Sequence, residues 1–218
     1  MSSVFVVGAA GKVGHQLVRK LVKNGHDVLG MVRNDEQQEL LREYGSHAVY
    51  GDLLELAVHE LASLMKDSEC VVFTAGAGGK GGEAMTNAID GKGLELCVDA
   101  ALLAKVPRFI LVSAFPEAGR AKFISDTFEN YMQVKKAADV YLAQSTLKWV
   151  ILRPGTLTDT VGSGLVNMGP AIPYGDISRE DVAATLVALV EHEEVEKRII
   201  ELTQGDTFIE QSIRKLNE

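Results

Sequence analysis

Tyr131 and Lys135 stand four residues apart, a spacing that puts both side chains on one face of a helix. A phenol beside an ammonium suits carbonyl reduction: the phenol gives a proton to the oxygen while hydride arrives from a nicotinamide, and the cation lowers the phenol pKa toward working pH. Ser113 closes the apolar run Phe109-Ile110-Leu111-Val112 and supplies a hydroxyl that would hold the carbonyl oxygen. A helix with a half-buried tyrosine and a surface lysine has the same spacing, so what stands upstream decides the reading.

Upstream is Gly8-Ala9-Ala10-Gly11-Lys12-Val13-Gly14, between the strand-like Val4–Val7 and a segment with Val13, Leu17 and Leu21 at helical spacing. Glycines at Gly8, Gly11 and Gly14 allow a tight turn, close approach of backbone to a pyrophosphate and packing of helix on strand. The backbone of Ala10, Lys12 and Val13 would complete the cradle at the helix N-terminus. The motif gains weight from its place at the first strand-to-helix turn. The second strand ends at Met31-Val32-Arg33-Asn34, where a carboxylate would bind the ribose 2′-hydroxyl of NAD. Arg33 offers a cationic fork suited to a 2′-phosphate, which favours NADP over NAD; Asp35 and Glu36 are what a shifted register would present. After the third strand, Asp52 suits the adenine amino group or a helix N-cap, and Leu53 gives an apolar rest for the ring. After the fourth, Ala75, Gly76 and Ala77 are small enough to lie against the cofactor ribose. Gly79-Lys80 is followed by Gly81, not Ser or Thr, so this is no Walker-type loop.

These residues need elements to hold them. Short apolar runs alternate with amphipathic segments from Val4 to Leu216, and strands apolar on successive residues imply a parallel sheet covered on both faces. The fold expected is a doubly wound α/β Rossmann fold, one domain over residues 1–218, with ligands beyond the carboxyl ends of the strands. Two irregular stretches, Ala75–Glu83 and Val161–Ile177, follow strands and read as binding loops, and about residues 115–130 and 161–177 are expected to roof a substrate pocket.

Composition narrows the partners. The 21 glycines in 218 residues exceed the usual ~7% and gather in Gly8–Gly14, Gly76–Gly82 and Gly162–Gly175. A net charge of −8 argues against a nonspecific grip on nucleic acid or an anionic membrane. Cys70 and Cys97 lack metal-ligand spacing and read as buried thiols; the five histidines are scattered, so no metal site is expected. The N-terminus lacks the layout of a signal peptide and no apolar run reaches membrane-spanning length, so a cytoplasmic protein is expected. Asp90-Gly91 reads as a turn or cap, and Ser178-x-x-Asp181 as a capping box.

The chain resembles the short-chain dehydrogenase/reductase superfamily, in its atypical, NmrA-like branch of small NAD(P)-binding proteins. The resemblance covers nearly the whole chain and rests on Gly8, Gly11, Gly14, Arg33, Asp90-Gly91, Ser113, Tyr131 with Lys135, Arg153-Pro154-Gly155, Ser178–Ala183 and Glu201–Thr207. It implies a pyrophosphate held by the glycine turn, a nicotinamide ribose hydrogen-bonded by Lys135, and a nicotinamide bordered by the backbone of Pro154, Gly155 and Thr156. It also implies an NADP-dependent reductase of a small carbonyl, quinone or flavin. Two other readings remain open: a redox sensor that binds NADP without turnover, and a nucleotide-sugar epimerase or dehydratase. The oligomeric state is not legible.

Overall fold

The apolar runs form the strands of a central sheet. The computed structural model describes residues 1–119 and 125–216. In chain order the first half runs β1 (Ser3–Val7), α1 (Gly14–Lys23), β2 (Asp27–Val32), α2 (Asp35–Glu43), β3 (His47–Tyr50), α3 (Val58–Leu64) and β4 (Cys70–Phe73). Next come α4 (Gly82–Thr86), a π-helical stretch (Asn87–Lys92), α5 (Gly93–Leu103), β5 (Arg108–Val112), α6 (Asp126–Ala143) and β6 (Lys148–Pro154). The chain continues through β7 (Thr156–Thr158), β8 (Leu165–Gly169), β9 (Asp176–Ser178), α7 (Arg179–Glu191), β10 (Arg198–Gln204), β11 (Thr207–Phe208) and α8 (Ile209–Lys215).

One nine-stranded sheet has the order β11-β8-β10-β6-β5-β4-β1-β2-β3, with β3, β2, β1, β4, β5, β6 and β10 parallel. Helices cover both faces, because strands such as Cys70–Phe73 are buried on every residue. One apolar layer joins Leu17, Leu21, Leu41, Leu186 and Ile213 of α1, α2, α7 and α8 to the sheet; the other joins Leu61, Leu94, Cys97, Ala138 and Leu142 of α3, α5 and α6. Each fully buried leucine contributes about 2 kcal/mol from the area it removes from water. This is the single α/β domain of the doubly wound class that the alternation of runs implies.

Strand order reverses at β1, which lies between β2 and β4. The crevice at such a switch point is where open α/β sheets bind ligands. The glycine turn leaves β1 there and Thr74–Ala77 leaves β4 beside it.

Three features depart from the sequence expectation. The sheet is not wholly parallel: β8 pairs antiparallel with β10 through Val166↔Gln204 to Gly169↔Glu201, and with β11. The stretch at 161–177 is therefore not all loop. Its strand covers the flank of β10 that would otherwise be an open edge, burying Val166. A separate parallel pair, β7 with β9, brings Thr156–Thr158 beside Asp176–Ser178. Finally, α6 starts at Asp126, where Ser125 Oγ accepts from Phe128 N–H at 3.2 Å and Asp126 and Glu129 occupy the first turn. Tyr131 thus lies in the second turn of α6, and α6 takes the end of the expected roof at 115–130; positions 120–124 of that roof lie outside the described residues.

Candidate functional site

The glycine turn is built by close backbone approach. A methyl at Gly8, whose φ is +80°, would lie 2.6 Å from Ala75 N, and one at Gly14 would lie 2.1 Å from the Gly8 carbonyl oxygen. Gly11 N–H donates to that same oxygen at 2.9 Å, and Thr74 Oγ1 donates to the Val7 carbonyl at 3.0 Å. The N–H groups of Lys12 and Val13 have no intramolecular acceptor among the described residues, so they are free for an anion at the start of α1. This cradle, which a side chain would fill, fits a dinucleotide diphosphate. Ala10, half-buried, packs against the adjoining apolar layer.

Arg33 follows β2 directly. Its N–H donates to Gln37 Oε1 at 2.9 Å, and its exposed guanidinium has no partner among the described residues. Asp35, the nearby carboxylate, accepts from the Tyr50 hydroxyl. The Arg33 guanidinium is therefore exposed just beyond β2 and has no ion pair among the described residues. Asp52 accepts Leu54 N–H at 2.9 Å, and its carbonyl accepts from Glu55 and Leu56. It caps a turn, while α3 begins later at Val58, with Glu60 reaching back to Ala57 N–H. Leu53 lies against Gly93 of α5, where a methyl would be 3.0 Å from Leu53 Cδ1.

The catalytic candidates meet at the carboxyl end of β5. Lys135 is 3% exposed; its Nζ donates to the Val112 carbonyl at 3.0 Å and lies 3.7 Å from Asp90 Oδ1. Asp90, also 3% exposed, accepts Ala77 N–H at 2.9 Å through its other oxygen. Asp90 is therefore no turn or cap residue: it lies in the π-helical stretch, a geometry frequent at functional sites, and joins the loop after β4 to Lys135. Gly76 leaves it room, since a methyl there would sit 2.9 Å from Asp90 Oδ1.

One turn beyond Lys135, Asp139 accepts from Arg153 Nε at 2.9 Å and Nη2 at 2.8 Å. The Ser113 hydroxyl is near enough to hold the Asp139 carboxyl down, although neither Ser113 Oγ nor Asp139 Oδ1 completes a well-formed hydrogen bond and both are enclosed. Burial outweighs this and the Arg153 charge, leaving the Asp139 carboxyl raised.

The Tyr131 phenol departs from expectation. Burial, then the charges of Asp90 and Asp139, push its pKa up rather than down. The ammonium of Lys135 is already matched by those carboxylates, and burial lowers its own pKa. Tyr131 is thus held as a neutral phenol. The sequence reading missed Asp90 and Asp139 as members of this cluster. The signal for Asp139 was present, because 131, 135 and 139 share one helix face; that for Asp90 was a lone carboxylate among Ala88, Ile89 and Leu94.

At the carboxyl ends of β6 and β10, Gly155 N–H donates to the Leu202 carbonyl at 2.8 Å and Thr156 N–H to the Gly175 carbonyl at 3.0 Å. A methyl at Gly155 would lie 2.0 Å from the Gly175 oxygen. Pro154 is buried as the last residue of β6. Lys12 Nζ reaches Asp159 Oδ2 at 2.9 Å, and Asp159 Oδ1 takes Arg179 at 2.6 Å, so the glycine turn and the segment after β7 face each other. No described helix is long and apolar enough to cross a membrane.

Comparison with known proteins agrees with this geometry. A family model described as NAD(P)H-binding matches residues 8–193. A Bacillus subtilis (strain 168) protein named an uncharacterized sugar epimerase, YhfK, is 36% identical over 214 residues, covering 98% of this chain and 99% of its own. Among solved structures, the oxidoreductase ylbE from Lactococcus lactis is 27% identical with a TM-score of 0.87, covering 99% of this chain and 96% of its own. ChuY, an anaerobillin reductase from Escherichia coli O157:H7, shares the fold at a TM-score of 0.76 and 23% identity, covering 94% of this chain and 98% of its own.

Proposed function

The chain belongs to the NAD(P)H-binding family, in the atypical branch of the short-chain dehydrogenases/reductases, and from that premise we propose that it is an NADP-dependent reductase of a small carbonyl, quinone or flavin. The observation that carries this reading is the Asp90 carboxylate, which links Ala77 of the cofactor-side loop to Lys135. That link supports reading the glycine turn and the Lys135 cluster as parts of one site.

Gly8–Gly14 would hold the diphosphate on free N–H groups, and Arg33 the 2′-phosphate. When bound, the nicotinamide would supply a hydride, two electrons with one proton, to the carbonyl carbon of such an acceptor. The displaced C=O electron pair moves to oxygen, where Tyr131 donates its proton: the tyrosine O–H breaks as the product O–H forms, and solvent restores the phenol. Lys135, anchored on the Val112 carbonyl and on Asp90, would fix the ribose. Burial and two carboxylates keep Tyr131 in its protonated form, the form the reductive step uses, though as a weaker acid than an ordinary phenol.

An NADPH-oxidation screen against quinones, flavins and aldehydes tests this, run beside Tyr131→Phe and Lys135→Ala. Turnover of a carbonyl or quinone is expected to fall about 100-fold or more in Tyr131→Phe, the usual scale for losing a positioned acid. In the parent, activity should hold through neutral pH and decline only above the ordinary tyrosine range of ~10. NADPH binding without oxidation of any acceptor would replace the reading with that of a redox sensor. A second reading, sugar epimerisation, draws on the name of the 36% identical relative. It requires turnover with no net NADPH consumption.

A further inference from the structure

The segment after Ser113 carries an aromatic wall that the scheme above does not use. Phe115, buried, meets Tyr174 edge to face with ring centroids 5.3 Å apart. Gly119, at the other end of the same short segment, packs on Phe128: a methyl there would lie 3.1 Å from its ring. Phe128 in turn lies 6.0 Å from Tyr131, centroid to centroid. Residues 115–119 therefore run from Tyr174 to Phe128, the ring neighbour of Tyr131. Tyr174 stays 41% exposed, while its hydroxyl is hydrogen-bonded to Thr156 Oγ1, at the carboxyl end of β6. The ring is thus held at both ends, by Phe115 and by Thr156, while the residue keeps its exposure beside the carboxyl end of β6.

We propose that Tyr174 is a substrate-binding residue that selects flat, conjugated carbonyl acceptors, such as quinones and flavins: its ring stacks on the acceptor and its hydroxyl, shared with Thr156, hydrogen-bonds an acceptor oxygen. A preoriented aromatic with a polar tip binds such a plane at little entropic cost, whereas an aliphatic aldehyde has no π-face to stack. A hydroxyl whose other partner is already in place suits an oxygen acceptor: when Thr156 Oγ1 donates to the Tyr174 oxygen, the Tyr174 O–H is free to donate to the acceptor. The inference rests on the reductase reading for its chemistry, but binding tests it without turnover.

The experiment measures binding of 2-methyl-1,4-naphthoquinone and of riboflavin to the full chain saturated with NADP⁺, by quenching of protein and of flavin fluorescence respectively. Tyr174→Phe is expected to weaken the bound probe about fivefold, the loss of one hydrogen bond, and Tyr174→Ala by tens of fold, the further loss of stacking. Thr156→Val should fall near Tyr174→Phe, and NADP⁺ affinity should be unchanged in Tyr174→Phe and Tyr174→Ala. Binding of one probe but not the other identifies the acceptor class and supports the proposal if the Tyr174 variants weaken it. Failure of both to bind, or equal binding by parent and Tyr174→Ala, overturns it. Probe binding with no hydride transfer from NADPH would instead sink the reductase reading and leave the Tyr174 site standing.

Discussion

Two glycine-rich regions flank the crevice and are held by different forces. In Gly8–Gly14 the glycines are sterically obligatory, because methyl groups at Gly8 and Gly14 would overlap backbone atoms. In the stretch from Val161 to Ile177, Gly164 has a φ of +72° but open space around its Cα, so only its backbone conformation demands glycine. What fixes the start of that second region, ahead of β8, is charge. Asp181 accepts Ser163 N–H at 3.0 Å and Gly164 N–H at 2.8 Å, and Glu180 accepts Gly162 N–H at 3.1 Å, all from the first turn of α7. The same residue type thus marks a packed backbone crossing in one place and a side-chain-tethered loop in the other.

Paired substitutions break that comparison most sharply. Gly14→Ala is expected to cost about 3 kcal/mol or more, since a backbone carbonyl must move to admit the methyl. Gly164→Ala should cost only about 1 kcal/mol, the penalty of a left-handed alanine. Urea denaturation of both proteins measures the difference. Equal losses would mean that steric crowding does not distinguish the regions.

The tether itself is the next largest effect. Asp181→Ala removes two charge-assisted acceptors from a buried position and leaves Ser163 and Gly164 N–H groups without partners, for an expected loss of about 2–3 kcal/mol. Ser178 Oγ would also lose the carboxylate it meets at 2.9 Å, while keeping its bond to the backbone N–H of residue 181. Amide exchange at Ser163 and Gly164 should quicken with little change at Gly11, which rests on the Gly8 carbonyl. Exchange that quickens equally at all three amides would show the two regions to be one cooperative unit.

The cofactor side offers a contrast in function rather than stability. Arg33→Asp is expected to weaken NADP⁺ binding about 30-fold, close to 2 kcal/mol, and to narrow or reverse the preference over NAD⁺. The unfolding midpoint should barely move, because the Arg33 guanidinium has no partner among the described residues to lose. An unchanged NADP⁺ affinity would remove the assignment of the 2′-phosphate to this end of β2.

How legible these regions were in the sequence follows from where their partners lie. The glycine turn, its strand and its helix are contiguous, so spacing alone located them and the parallel core around β1 and β4. β8 was hidden because its pairing residues Glu201–Gln204 lie far along the chain, and Gly162, Gly164, Gly169 and Pro170 mask its short alternation. Tyr131 and Lys135 were found by an i,i+4 spacing, yet the electrostatic state of the phenol was not, because one of its two carboxylates arrives from the π-helical stretch before α5. Tyr174 was hidden for the same reason: its partners Phe115 and Thr156 are brought to it only by the sheet edge.

The smallest expected effect is also the most specific to the tethered region. Hydrogen bonds from Gly162 N–H and Lys20 hold the Glu180 carboxyl below its ordinary range of ~4.3. A carboxyl depressed on folding contributes stability above its unfolded pKa and loses it as pH falls through the folded value. Protection of the Gly162 amide, corrected for intrinsic exchange, should therefore fall by a few fold below about pH 4, before global unfolding, and Glu180→Gln should abolish that step. Gly11 has a carbonyl acceptor, 2.9 Å away, which does not titrate. Its protection should stay level across the same window. A parallel decline at Gly11 would assign the acid response to the whole sheet edge, not to the carboxylate tether.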